Sequence, residues 1–359
     1  MFRTAYILNP RADWAWFLLL PLAATAIAMA SQIWLSAVAV VSVSLWVTAP
    51  HHFATWLRAY GVREDFHHWR VPLILGPLVI GAITFGGMLW APMSLLLLAW
   101  AWDHQHTIMQ QYGFARIYDH KARSGAPSTP RFDLWLNWVL YVNLMLVSPL
   151  YSNFWVRELY RFGVPVSAEQ IQTIETVSMS LTGLFLAVYA GHVVWSVRRG
   201  YSINPIKCLF IASSYFLWYF TAWWVQSVLV AKIAHAIMHG GQYIVMVHSY
   251  LRRSGGSENT FTKWLVQPRN VAFFVLMLLV YAVLYQWVTA QPWEAFGFGA
   301  IEFGSVYAEP IPELNIPGYT DRQRFELFAA LMIQVIPLVH YYYDSFIWKV
   351  REDRVQAGL

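Results

Sequence analysis

Residues 226–250 read QSVLVAKIAHAIMHGGQYIVMVHSY, and two properties of this run decide the fold. As a helix rising about 1.5 Å per residue, it is long enough to cross a hydrocarbon core of about 30 Å. Its one formally charged residue is Lys232, yet it holds three histidines: His235, His239 and His248. Polar, ionisable side chains inside a span are expensive and are usually functional. The segment therefore reads as a transmembrane helix with a purpose.

The rest of the chain repeats the pattern. Of 359 residues, 58% are hydrophobic and 12% are charged, which is far from a soluble domain. Ten spans are expected, at 13–31, 33–50, 71–90, 92–114, 133–151, 174–195, 205–223, 226–250, 270–290 and 325–348. The fold class is all-α: a single transmembrane domain over 1–359, a polytopic bundle of about ten helices with both termini cytoplasmic. The seventh and eighth spans run together through Trp223 and Trp224. Trp14–Ala30 is followed by no convincing small-residue cleavage site and reads as a retained first helix. In this topology 19 of the 24 Lys and Arg fall on the inner side, Arg58, Arg116 and Lys207 among them. Only Arg157, Arg161, Arg322 and Arg324 fall outside, and Lys232 lies within a span. That asymmetry is the positive-inside rule. It turns the net charge of +5 from a nucleic-acid signal into an orientation signal, for a multi-pass protein of the inner (cytoplasmic) membrane with no nucleic-acid partner.

Residues 152–173 and 291–322 are the long extracytoplasmic loops, the second carrying Glu294, Glu302, Glu309, Glu313 and Asp321. Short surface helices or a lid resting on the membrane are expected there. Twenty Trp and twenty Tyr exceed what interfacial belts need, so some line the interior. Cys208 is the single cysteine, which excludes an internal disulfide framework and any cysteine-ligated cluster.

The topology places all twelve histidines in the cytoplasmic half of the bilayer or beyond it. His51 and His52 end the second span, and His67 and His68 precede the third. His104 and His106 lie in the fourth, with His120 just after it, and His192 closes the sixth. His340 sits in the inner third of the tenth. His104, His239 and His340 are roughly 18–23 Å from the outer ends of their helices, one shared depth. Local spacing adds to this. His235 and His239 are i,i+4 with Gln242 continuing their face; Asp103 and His106 are i,i+3 with Gln110 one turn further; His340 and Asp344 are i,i+4. Two nitrogen or oxygen ligands one turn apart can bite one metal ion from a single helix. Bland readings compete. His120, His192 and His248 suit interfacial hydrogen bonding, His67 and His68 suit a solvated loop, and a polar inter-helix hydrogen bond is the alternative for His104, His235, His239 and His340. The candidate metal set is His51, His52, His104, His106, His235, His239 and His340. Asp103 and Asp344 are the candidate catalytic carboxylates. Asp103 could orient a histidine; Asp344 could be a ligand, an orienter, or the partner of Lys349 or Arg351.

Nitrogen and oxygen ligands without thiolate suit iron, copper, zinc or manganese. A catalytic zinc needs three ligands and an open position, whereas a pair of iron ions held mainly by imidazole uses about as many histidines as are available here. A site at the cytoplasmic side, reached from the bilayer, fits activation of dioxygen and attack on a C–H or C=C bond of a lipophilic substrate.

The run Pro50-His51-His52, the segment Asp103-His104-Gln105-His106, the pair His235-x-x-x-His239, and Ile336-Pro337-Leu338-Val339-His340 followed by Asp344 resemble the four histidine stations of bacterial Brp/Blh-type membrane β-carotene cleavage oxygenases. More loosely they resemble the multi-histidine di-iron membrane desaturases and alkane hydroxylases. The likeness covers scattered stations from about 50 to 344, with no His-x-x-His-His box. It implies a di-iron oxygenase or hydroxylase that takes dioxygen, a lipophilic substrate and, for hydroxylation, electrons from a donor, within membrane lipids. It also implies His51, His104, His235, His239 and His340 as iron ligands. Three other classes compete: a haem-b or quinone electron-transfer protein with bis-imidazole ligation, a zinc-dependent membrane hydrolase using Asp103 or Asp344 as its acid, and a transporter with histidine proton relays. The last would place polar residues in both bilayer halves, and the outer halves are nearly clean.

Overall fold

The computed structural model describes residues 2–253, 260–289, 321–349 and 353–358, and among them β pairing is limited to a single bridge, Phe2 to Ile203. The helices are α1 (Pro10–Trp34), α2 (Ala37–Tyr60), α3 (Arg63–Trp90), α4 (Pro92–Ala122), α5 (Thr129–Val147), α6 (Pro149–Arg161), α7 (Ala168–Arg198), α8 (Pro205–Trp224), α9 (Val228–Arg253), α10 (Thr260–Leu265), α11 (Val271–Val288) and α12 (Asp321–Ile347), with a last turn at Asp353–Gly358. The ten expected apolar segments fall largely on helices, but the described residues form twelve helices rather than ten: 33–50 runs across the break between α1 and α2, and 133–151 across that between α5 and α6. Four helical stretches, Pro10–Trp34, Arg63–Trp90, Ala168–Arg198 and Pro268–Val288, are long and apolar enough to cross a membrane, and α5 with α6 makes a fifth if that bent pair is one span. Several of the others, α2, α4, α9 and α12 among them, are of membrane length, but histidines and other polar residues interrupt their apolar runs.

Local chemistry explains the breaks. Between α5 and α6 the chain bends by 68°. Pro149 has no amide hydrogen and disfavours helical backbone in the residue before it. Ser148 is accordingly extended (φ −70°, ψ 139°), and its Oγ donates to the Leu144 carbonyl at 2.7 Å. The expected loop over 152–173 therefore carries most of helix α6. It then turns through Gly163 at φ +76° and enters α7 through a capping box between Ser167 and Gln170. His67 and His68 also differ from the loop expected there: both ride on the first turns of α3, exposed. Most of the expected loop 291–322 lies outside the described residues, and Asp321 is the first residue of α12.

The chain sorts into two compact units, Met1–Met29 with Gln105–Met238, and Ala30–His104 with His239–Leu359. In the first, Phe17 meets Phe114 edge-on at 5.1 Å and Phe210 at 6.3 Å between ring centroids. Helices α5, α7 and α8 close over Leu136, Leu140 and Tyr215. The same unit holds a buried ion network. Lys207 Nζ lies 2.6 Å from Asp119 Oδ2 and 2.5 Å from Asp133 Oδ2, while Arg116 donates to the same two carboxylates at 2.6 and 2.7 Å. Tyr189 and Ser124 donate to the remaining oxygens at 2.8 and 2.7 Å. Lys207 and Arg116 were counted among the inner-side charges that set the orientation. Both sit on helices, and apart from the local i,i+3 pair of Arg116 with Asp119 their carboxylate partners come from other helices.

In the second unit α2 is the central element. Its Ala49 packs with Ala282 and Tyr285 of α11, its Ala54 and Leu57 with Tyr243 and Val247 of α9, and its Ala59 with Val339 and Tyr343 of α12. Helix α3 joins α12 where Gly76 faces the ring of Tyr342, an approach that leaves no room for a Cβ without moving that ring. Arg58, also counted among the inner-side charges, is 1% exposed and paired with Asp65.

Breaking a buried ion pair from one side costs about 3–5 kcal/mol. Lys207→Met is therefore expected to lower the unfolding free energy in detergent by about that amount. Adding Asp133→Asn should restore part of the loss, and an unchanged unfolding midpoint in Lys207→Met would show that the network does not hold this unit together.

Candidate metal centre

The histidines of the second unit come from α2, α9 and α12. His51 and His52 follow Pro50 inside α2, His239 lies on α9, and His340 follows Pro337 on α12. All four are buried, His340 completely. His51, His239 and His340 each offer a ring nitrogen, and the three nitrogens lie within 4.8 Å of one another. Nε2 of His51 and Nε2 of His340 are 3.1 Å apart. Two nitrogens bound at about 2.0–2.1 Å in a tetrahedron sit roughly 3.3 Å apart, so this pair already has the separation that one ion requires. The rings of His51 and His239 meet nearly at right angles, with centroids 4.8 Å apart. His52 lies beside them, 4.5 Å from the His51 ring and 5.1 Å from that of His340, with Tyr285 at 5.6 Å on its flank.

Close helix approach makes this convergence possible. At Gly240 a Cβ would stand 3.5 Å from His51 Cβ and 3.5 Å from the Val47 carbonyl oxygen, so α9 passes α2 at van der Waals distance beside the histidines. On the far side of His340, Nδ1 lies 2.6 Å from Thr55 Oγ1 and 3.8 Å from Asp344 Oδ2. Thr55 is 2.9 Å from the Tyr243 hydroxyl, which donates to Asp344 Oδ1 at 2.7 Å and accepts from Trp348 Nε1 at 3.1 Å. Arg58, one further turn along α2, reaches the Tyr250 hydroxyl at 3.1 Å and the Ile347 carbonyl at 3.4 Å. Its guanidinium lies over the Tyr250 ring at 4.2 Å and the Trp348 ring at 5.3 Å.

The expected site residues thus divide. His51, His52, His239, His340 and Asp344 assemble, with Asp344 reaching the cluster through Tyr243. His104 is buried in the same unit, its Nδ1 2.8 Å from the Trp100 carbonyl of its own helix and its ring on Trp100 at 4.9 Å. Asp103 accepts from the Tyr341 hydroxyl at 2.6 Å, one residue along from His340. His106 and His235 belong to the other unit. There the ring of His235 lies on Trp218 at 3.8 Å, with Nε2 3.2 Å from Thr221 Oγ1. His192 is stacked on Phe132 at 3.9 Å and lies 3.1 Å from Thr129, a packed, hydrogen-bonded histidine as its helix-end position indicates.

Sequence reading missed Thr55, Tyr243 and Trp348. The first two were within reach, because each stands four residues after a ligand candidate, His51 or His239, and continues its helical face. Trp348 stands four residues after Asp344. A hydroxyl and an indole carry no signal of their own among so many aromatic residues.

Comparison of the chain with protein-family models, with curated proteins and with solved structures gives no match.

With Co²⁺ as probe, the detergent-solubilised protein is expected to show a d–d spectrum of nitrogen coordination that His51→Ala, His239→Ala and His340→Ala each abolish. His67→Ala and His68→Ala, on the exposed turns of α3, should leave it unchanged. Equal loss in all five would count against a site built on these three rings.

Proposed function

We propose that the protein is an integral-membrane, metal-dependent oxygenase or hydroxylase acting on a lipophilic substrate, with iron as its metal. The observation that carries this reading is the group of three buried imidazoles with ring nitrogens within 4.8 Å of one another, set in an apolar helical unit. His51, His239 and His340 would hold the metal, with His52 beside them. Bound there, iron would supply activation of dioxygen. The protein supplies the rest. Burial keeps bulk water from the rings, Thr55 and Asp344 orient His340 from behind, and Tyr285 and Tyr341 give the surroundings an aromatic wall suited to an apolar chain. A substrate dissolved in the bilayer would arrive laterally, and an electron donor would serve from the cytoplasmic side. The ten-span topology with both termini cytoplasmic, in the inner membrane, belongs to the same reading and rests on the distribution of Lys and Arg.

Three imidazoles are also the donor set of a catalytic zinc, which makes a zinc-dependent membrane hydrolase the second reading. Bis-imidazole haem ligation is poorly served by His51 and His340. At 3.1 Å their Nε2 atoms leave no room for a macrocycle between them.

Metal analysis of protein purified from iron-replete cells is expected to find bound iron, with no Soret band. His239→Ala should lose the metal together with dioxygen uptake in vesicles supplied with lipid extract and a reductant. Stoichiometric zinc instead would favour the hydrolase. Absence of any transition metal, with uptake unchanged in His239→Ala, would remove the enzyme reading. For the topology, in a Cys208→Ser background a cysteine replacing Arg161 should react with an impermeant maleimide from outside the cell, and one replacing Arg123 should not.

A further inference from the structure

The hydrogen bonds behind His340 run in one direction, and that direction fixes a proton. An indole N–H only donates, and a carboxylate only accepts. The Tyr243 hydroxyl lies 3.1 Å from Trp348 Nε1 and 2.7 Å from Asp344 Oδ1. With Asp344 ionised, it spends its own hydrogen on that carboxylate and accepts from Trp348. Thr55 Oγ1, 2.9 Å from the same tyrosine oxygen, finds no hydrogen there to accept and must donate. With its one hydrogen spent, Thr55 faces His340 Nδ1 at 2.6 Å as an acceptor. Nδ1 then carries the hydrogen of the neutral ring, and Nε2 is left as a bare lone pair. Nε2 is the atom 3.1 Å from His51.

We propose that Thr55 is a positioning residue of the metal centre: held as an acceptor by Tyr243, it locks His340 in the Nδ1–H form, so that Nε2 presents a lone pair where His51 and His239 converge. Without a hydroxyl at position 55, the ring is free to carry its hydrogen on Nε2 and so to aim a donor where a cation must sit. Thr55 contributes no metal ligand. It acts through His340, as the outer hydrogen bonds of ligating histidines do in metal sites generally. The purpose assigned to this arrangement rests on the metal-centre reading above, but the placement of the hydrogen is readable without any metal.

Two measurements on the full-length protein in detergent test the assignment. In the metal-free protein labelled with ¹⁵N-histidine, with His340 identified by loss of its signals in His340→Ala, wild type and Thr55→Ser should show a protonated Nδ1 and a bare Nε2. Thr55→Val, equal in shape but lacking the hydroxyl, should show a mixed or reversed pattern. In chelator competition with Co²⁺, Thr55→Val should bind about 10–100-fold more weakly, with Thr55→Ser close to wild type and helicity unchanged in both. Rescue by serine separates positioning from packing, because serine keeps the hydroxyl and lacks the methyl. Should Thr55→Val not fold, Asp344→Asn reads the same chain from its other end. Its amide can donate to Tyr243 and release the direction, with the same shift expected. An Nε2–H form in wild type, or unweakened Co²⁺ binding in Thr55→Val, would overturn the proposal. If wild type takes up no Co²⁺ at all, the metal reading falls, while the ¹⁵N pattern still decides whether Thr55 sets the tautomer.

Discussion

A buried imidazole carries two ring nitrogens that water would otherwise satisfy, and leaving such a group without a partner costs about 1–3 kcal/mol. The second unit places four of these rings side by side on three helices, and its architecture follows from giving them roles. Helix α2 does most of this. His51, Thr55 and Arg58 stand at i, i+4 and i+7 on one face, and each meets both α9 and α12 or their ends. The histidine, the hydroxyl and the guanidinium form a polar seam down the middle of an otherwise apolar packing. Around this seam, Ala49, Ala54 and Ala59 keep the neighbouring helices close.

Each unit also carries a buried ion network, and the two are built differently. Lys207 and Arg116 share two carboxylates, Asp119 and Asp133, so four charges from three helices balance within one cluster, and hydroxyls of Tyr189 and Ser124 fill the remaining oxygens. Arg58 has one carboxylate, Asp65, and its Nη2 reaches a tyrosine hydroxyl and a backbone carbonyl, with two aromatic faces beneath the guanidinium. The first is a many-bodied clamp between helices. The second joins the start of α3 to the end of α12, next to Trp348, and so supports the residues behind His340.

Much of the helical plan was legible in the sequence, because a membrane-length apolar run is a long and unambiguous pattern. The break at Ser148–Pro149 was not read, since apolar residues continue on both sides of it and only the proline marks the bend. The helix beginning at Arg63 was shortened for a related reason, since charged and aromatic residues at a helix end look like loop when only hydropathy is followed, whereas the short helix after Pro149 falls where surface helices were expected. The site was legible in part. Imidazoles one turn apart on α9 drew attention to His239, and the shared-depth argument paired it with His340. Which of the seven histidines meet within one unit depends on the packing of helices distant in sequence, and no local spacing encodes that. His235 illustrates the limit. It shares a helix and an i,i+4 spacing with His239, yet its ring rests on Trp218 in the other unit. Charge counting could not foresee the burial of Arg58, Arg116 and Lys207 in ion pairs, and the pair between Lys207 and Asp119 joins residues 88 positions apart.

Gly240 has a consequence for how an ion would be captured. Helix α9 lies on one side of the His51 imidazole and the ring of His340 on another, which holds the side chain among packed neighbours. The conformational freedom of that histidine is given up when the polypeptide folds rather than when a ligand arrives, which is preorganisation in its simplest form. A group of donors held in this way would select its guest by fixed spacing. Bound there, an ion matching the gap between the nitrogens would be favoured over one that does not match it.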